Sequence, residues 1–289
     1  MNAVRRPLAV MTCLLALAGC GAPAAGSPTP APVPPPSSSS VAPPPSSVTT
    51  PPPAPASTPA TPRATVTATR PASPVSGVVV LDPGHNGGNA ANPAAINRQV
   101  PAGRGRTKPC NTTGTATNAG FPEHAFTWSV ALRVRDILVA RGVKVVLTRP
   151  NDTGVGPCVD ARAAAGNNAD AAAVVSIHAD GSTNASARGF HVAYSAPPLN
   201  AQQGEPSLRL ARTVRDGMRA AGFPLSTYIG AQGLSPRADL AGLNLSTRPA
   251  VLVECGNMRN ATEAAAFSSA TGQQSYAKAI AAGILAYLA

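Results

Sequence analysis

Gly77-Val78-Val79-Val80-Leu81-Asp82-Pro83-Gly84-His85 decides how the rest of the chain is read. Four branched apolar residues in succession predict a strand buried on both faces, the kind found inside a mostly parallel sheet. Pro83 and Gly84 stop it. His85 therefore falls where a central strand gives way to a loop, at the carboxyl edge of the sheet, where open α/β sheets bind their ligands. A histidine there is a candidate ligand or catalyst; the alternative, a core histidine, stays open until partners are found.

Outward from this strand, apolar runs over residues 143–148, 173–177, 189–194 and 250–255 predict further strands. Helical patterns cover 123–141, 159–167, 207–221 and 275–288, with a shorter one over 261–267. Phe126, Val130, Val134, Ile137 and Leu138 recur at helical spacing and give the first helix a core face. Gly142 then caps its end. Strand and helix in alternation imply an α/β fold, a twisted and mostly parallel sheet with helices on both faces. Residues 76–289 are enough for one good core.

Three more polar residues interrupt this plan as His85 does. Glu123 opens the first helix, His178 ends the predicted strand 173–177, and Glu254 follows the apolar run 250–253. If the strands are parallel near neighbours, these side chains converge on one edge. Two imidazoles and a carboxylate suit Zn²⁺ and leave a position open for water; a second carboxylate could act as general base. Each residue also has a structural reading. Glu123 could complement the helix dipole, and His178 could be a hydrogen-bonded core histidine. Glu254 is the hardest to dismiss, because an unpaired carboxylate after a buried strand is costly. His124 points at least about a quarter turn away from Glu123 on the same helix. His191 lies inside a predicted strand and reads as structural or substrate-facing.

The chain has 289 residues and a net charge of +11. It opens with Arg5 and Arg6, an apolar run over 8–18, then Gly19-Cys20. This is the pattern of an export signal. The run is shorter than the roughly 20 residues a membrane helix needs. Leu17-Ala18-Gly19-Cys20 resembles a bacterial lipoprotein box, which makes residues 1–20 a signal peptide and Cys20 the expected lipidation site. Residues 21–75 hold 18 of the 32 prolines and no aromatic residue. They cannot bury enough apolar surface to offset their ordering entropy, and read as a disordered tether. If it is extended as polyproline II, the tether reaches at most about 170 Å. Cys110 and Cys158 sit in polar, Gly/Pro-rich loops and are expected to pair in an oxidising compartment. Cys255 reads as a buried free thiol. No cysteine spacing resembles a thiolate zinc knuckle.

The folded part carries 19 Lys and Arg against 12 Asp and Glu, a net +7 that favours encounter with anionic polymers. Nucleic acid is a poor partner for an exported chain with few aromatics for stacking. Arg209, Arg212, Arg215 and Arg219 form one helix face, read as solvated.

Leu81-Asp82-Pro83-Gly84-His85, Ser176-Ile177-His178-Ala179-Asp180 and the segment from Pro249 through Glu254 to Asn257 resemble the zinc-dependent N-acetylmuramoyl-L-alanine amidases of the third amidase family. Thr148-Arg149-Pro150-Asn151-Asp152 and residues 162–167 fit as well. The resemblance spans nearly all of 76–289 with its motifs in order. It implies about six strands flanked by helices, His85, Glu123 and His178 as zinc ligands, and Glu254 as the catalytic glutamate. The implied substrate is peptidoglycan, polymer or muropeptide, cut between N-acetylmuramic acid and L-alanine. A monomer at the outer face of the cytoplasmic membrane, held there only by a lipid anchor, is expected. A catalytically silent wall-binding lipoprotein and a zinc peptidase of stem peptides are the alternatives. The sequence departs from the family in a long segment over 86–122, in Asn89 where aspartate is common, and in Asp180 where asparagine is common. The long segment lies between two site residues and is expected to rim the cleft, pinned by Cys110 and Cys158.

Overall fold

The structure is a computed structural model that describes residues 77–184 and 186–289. The expected signal peptide, Cys20 and the whole of the expected tether, residues 21–75, lie outside the described residues. In chain order the elements are β1 (Val78–Pro83), α1 (Pro93–Asn97), β2 (Gln99–Gly103), β3 (Arg106–Pro109), α2 (Glu123–Val139), β4 (Lys144–Leu147), α3 (Val159–Asn168), β5 (Ala173–Asp180) and β6 (His191–Ser195). After these come α4 (Glu205–Ala220), β7 (Leu234–Arg237), α5 (Ala241–Asn244), β8 (Ala250–Asn257), α6 (Ala261–Phe267) and α7 (Ala270–Leu288).

Six strands form one sheet in the order β4-β1-β5-β8-β6-β7. The first four run parallel, and β6 turns antiparallel to β8 while staying parallel to β7. The run of valines in β1 is central and buried, as its lack of alternation predicts. Val79 and Leu81 join the large core against α2, α4 and α7, which also holds Val175, Ile177, Val251 and Val253. Val80 belongs to a smaller cluster with Val174, Leu243 and Ala250 on the opposite face, beside α3 and α5. One face of the sheet is thus fully covered. The other is thinly covered, and there the alternation of β1, β5, β8 and β6 presents Asp82, Ser176, His178, Glu254 and His191.

Two expectations about the strands are corrected. His178 and Glu254 do not end their strands, since β5 continues to Asp180 and β8 to Asn257. His191 does not lie inside a strand. It begins β6, and because β6 is reversed, its first residue reaches the edge where its parallel neighbours end. The long segment 86–122 contains α1 and the antiparallel hairpin β2–β3. Ile96, Val100 and Ala102 are buried, so the hairpin is seated on the domain. Neither β7 nor α5 stands out in the sequence, since neither has the apolar run that marks the equally short β4.

Cys110 follows β3, Cys158 caps α3, and the two are joined by a disulfide that ties the hairpin to the helix. Cys255 is a free thiol, 1 % exposed. On α4, Arg209 lies over the Tyr287 ring, Arg212 pairs with Glu205 and Arg215 with Asp216.

Candidate metal centre

His85 leaves the end of β1 with φ +59, a conformation few side-chain-bearing residues adopt. Two buried arginines hold it there. Arg162 of α3 donates to the carbonyl oxygens of Pro83 and His85, each at 2.7 Å, and to that of Gly156 at 3.0 Å. Arg149 donates to the carbonyls of Pro83 at 3.0 Å and His124 at 3.0 Å. Asp82 anchors Arg162 at 2.7 Å and accepts further bonds from the Thr148 and Ser176 hydroxyls. Burial works against the Asp82 charge, but Arg162 and these hydroxyls outweigh it and bring the pKa down to about 2. Arg149 and Arg162 fall within stretches that carry the family resemblance. Their task, closing the carbonyls of Pro83, His85, His124 and Gly156, emerges only from the fold.

The ring of His85 is oriented by its other side. Its Nδ1 donates to the Thr112 carbonyl at 3.1 Å, which turns Nε2 inward. Asn89 supports the same carbonyl through its amide nitrogen at 2.8 Å and accepts from Gly156 N–H. An aspartate could accept but not donate, so asparagine is the residue that satisfies both partners here.

Glu123 opens α2 and is 4 % exposed. One carboxylate oxygen lies 3.1 Å from His85 Nε2 and accepts from Thr115 N–H. The other lies 3.0 Å from His178 Nδ1 and accepts from Ala179 N–H. The three donor atoms fall within 4.8 Å of one another. Burial opposes the Glu123 charge, but the two imidazoles hold its pKa well below the usual carboxylate range. Burial likewise disfavours the His85 cation, yet the Glu123 carboxylate raises its pKa above the ordinary value. Close approach depends on two glycines. A Cβ on Gly84 would lie 2.3 Å from the His178 ring, and one on Gly114 would lie 2.9 Å from Glu123. Two nitrogens and one carboxylate, gathered at a water-accessible cleft, match the three-ligand sets of catalytic zinc.

Glu254 is the register partner of His178 across β5 and β8. Its Oε2 is buried without a hydrogen-bond partner. Burial, then the charges of Asp180 and Glu123, push its pKa well above the ordinary carboxylate value. Asp180 lines the same cleft and accepts from the Tyr228 hydroxyl at 2.8 Å. His191 is the register partner of Glu254 on the other side, 1 % exposed, with Nδ1 3.7 Å from Asp180. Burial and then Arg237 lower its pKa to about 4. Tyr228 and His191 were not placed at this edge by sequence reasoning; strand reversal at β6 is the missing information. His124 turns away and bonds Asp152 at 2.8 Å.

The chain can now be set beside known proteins. The profile of the N-acetylmuramoyl-L-alanine amidase family matches residues 79–286. The N-acetylmuramoyl-L-alanine amidase Rv3717 of Mycobacterium tuberculosis is 54% identical over 219 residues, 76% of this chain and 89% of that protein. Among solved structures, the amidase Ami1 of Mycobacterium smegmatis superposes with a TM-score of 0.72 at 53% identity, over 75% of this chain and 99% of that one. Ami1 of Mycobacterium abscessus, in its apo form, gives 0.71 at 55% identity, over 73% and 98%. Fold order, the convergent histidine and glutamate side chains, and identity above half along the whole domain agree, and the chain belongs to the N-acetylmuramoyl-L-alanine amidase family.

Proposed function

We propose that this chain is a zinc-dependent amidase that hydrolyses the bond between N-acetylmuramic acid and L-alanine in peptidoglycan, with His85, Glu123 and His178 as the zinc ligands and Glu254 as the catalytic base. The observation that carries this reading is the convergence of the three donor atoms within 4.8 Å beside Glu254. Zinc, when bound, supplies Lewis acidity toward the amide carbonyl and lowers the pKa of water toward about 7. The protein supplies the rest. Thr112 and Asn89 present the Nε2 of His85 to the metal, and backbone N–H groups of Thr115 and Ala179 orient both oxygens of Glu123. Glu254 takes the proton of the attacking water and passes it to the leaving amine. Its unpartnered Oε2 leaves a lone pair for that proton.

Residues 1–20 act as a lipoprotein signal, Cys20 carries the lipid, and residues 21–75 tether the catalytic domain of 76–289 at the outer face of the membrane. The Cys110–Cys158 disulfide supports an oxidising compartment. Mass spectrometry of muropeptides digested with the zinc-loaded protein tests the reaction. Free stem peptides with bare glycan are expected; shortened stems would indicate a peptidase, and intact muropeptides a silent wall binder.

A further inference from the structure

The strand that carries Glu254 is irregular just beyond it. His178 pairs with Glu254, but the next pair is Asp180 with Asn257, so two steps along β5 meet three along β8. The extra residue makes a bulge at Cys255 and Gly256. Gly256 sits at φ +152, a conformation that residues with a side chain rarely adopt. Bulges are rare between parallel strands, and beside active sites they re-aim a side chain.

One carboxylate holds this bulge. Glu263, in the first turn of α6, is 8 % exposed. Its Oε2 accepts from the Asn257 N–H at 2.8 Å, directly after the bulge. Its Oε1 accepts from the Gly189 N–H at 2.8 Å, two residues before His191 opens β6. His191 is the residue opposite Glu254 on that strand. Glu263 thus grips β8 and the entry to β6 at the end where Glu254 stands, one oxygen to each. The fit is close, since a Cβ on Gly256 would lie 2.8 Å from the Glu263 carboxyl carbon.

Glu263 is itself fixed from behind. Phe267, one turn further along α6, is fully buried. Its ring lies edge-on to Phe126 at 4.6 Å and stacks with Tyr276 at 5.2 Å. Phe126 stands on α2, three residues after Glu123. The proposed ligand and the proposed base are therefore referred to one frame.

We propose that Glu263 is a positioning residue for Glu254: by closing the bulge of β8 onto the entry to β6, its carboxylate sets the direction in which the Glu254 side chain leaves the strand. The proposal rests on the amidase reading, in which Glu254 is the base. Oε2 of Glu254 has no hydrogen-bond partner of its own, so the aim of that oxygen depends on the backbone beneath it. Both oxygens of Glu263 must accept. An amide of the same shape offers one acceptor and turns its NH2 toward the other N–H.

The test measures muropeptide hydrolysis by four zinc-loaded forms: wild type, Glu263→Gln, Glu254→Gln and the double variant. Glu263→Gln is expected to lower kcat by about 10–100-fold, the scale of a reacting group displaced by about 1 Å. KM should stay within about twofold, as for an interaction that serves the transition state alone, and zinc content should stay at one per chain. In the Glu254→Gln background the same change should alter the residual rate by less than about twofold, because the carboxylate it aims is gone. Glu263→Asp keeps the charge but is one methylene too short to span both strands. It should show the same kcat loss and the same dependence on Glu254, and it replaces Glu263→Gln in the cycle if that variant does not fold. Wild-type kcat in both Glu263 variants, loss of zinc with activity, or an equal fold-loss in both backgrounds overturns this proposal alone. A wild-type chain that cleaves nothing, or a Glu254→Gln that keeps the full rate, overturns the amidase reading in which Glu254 is the base, and this proposal with it.

Discussion

His178 on β5 and Glu254 on β8 are register partners in adjacent parallel strands, although 76 positions separate them in the chain. Their side chains leave the same face of the sheet, so the proposed ligand and the proposed base stand side by side without a loop to place them. Glu254→Gln should therefore lower kcat by about 10²–10⁴-fold, the range for losing a general base. Zinc content, read by atomic absorption, should match wild type. Loss of zinc along with activity would move Glu254 into the ligand set.

Arg162 acts on the metal centre through the backbone. It holds the carbonyls of Pro83 and His85 and so fixes the strained turn that aims the His85 ring. Arg162→Lys keeps the charge but cannot reproduce the fork of donors. Zinc affinity, measured by competition with a chromophoric chelator, should fall about 10–100-fold, as for other residues that orient a ligand. Unchanged affinity would reduce Arg162 to a packing role.

Acid should weaken the fold in two windows. The buried His191 has its pKa lowered to about 4. A lowered pKa means stability that is present above the ordinary 6.5 and is lost as pH falls from there through 4. Asp82 is held near 2 against an ordinary 3.8, so its contribution is present above 3.8 and is lost as pH falls toward 2. Each accounts for roughly 2–3.5 kcal/mol at full effect. In urea titrations of the metal-free protein at stepped pH, His191→Gln should flatten the upper window and Asp82→Asn the lower one. A wild-type slope in either variant would assign that window to other groups.

The disulfide joins residues 48 apart in sequence. Closing a loop of that length removes unfolded-state entropy worth about 4 kcal/mol on the chain-entropy estimate. Replacing both cysteines with serine should cost up to that amount in urea unfolding. Because Cys110 follows the hairpin strand that lines the cleft, KM should rise as well. A double variant with wild-type KM would show that the bond from Arg104 to Asn244 and the burial of Val100 hold the hairpin without the bridge.

The amino-acid sequence by itself determined the α/β class, the four parallel strands and α2, because those elements carry long periodic or uniformly apolar signals. It also singled out His85, Glu123, His178 and Glu254, since polar residues that interrupt buried strands or open a helix stand out locally. The order and direction of the strands were decided only in three dimensions. Nothing local to residues 189–195 records that β6 runs against β8, yet this reversal sets His191 beside Glu254 and brings Asp180 within reach of it. The hairpin and α5 were equally hidden, because they lack the apolar run that marks the equally short β4. The work of Arg149 and Arg162 was hidden for a different reason. A buried arginine is defined by the carbonyls it closes, and those come together only when the ends of β1, β4 and α3 have already met.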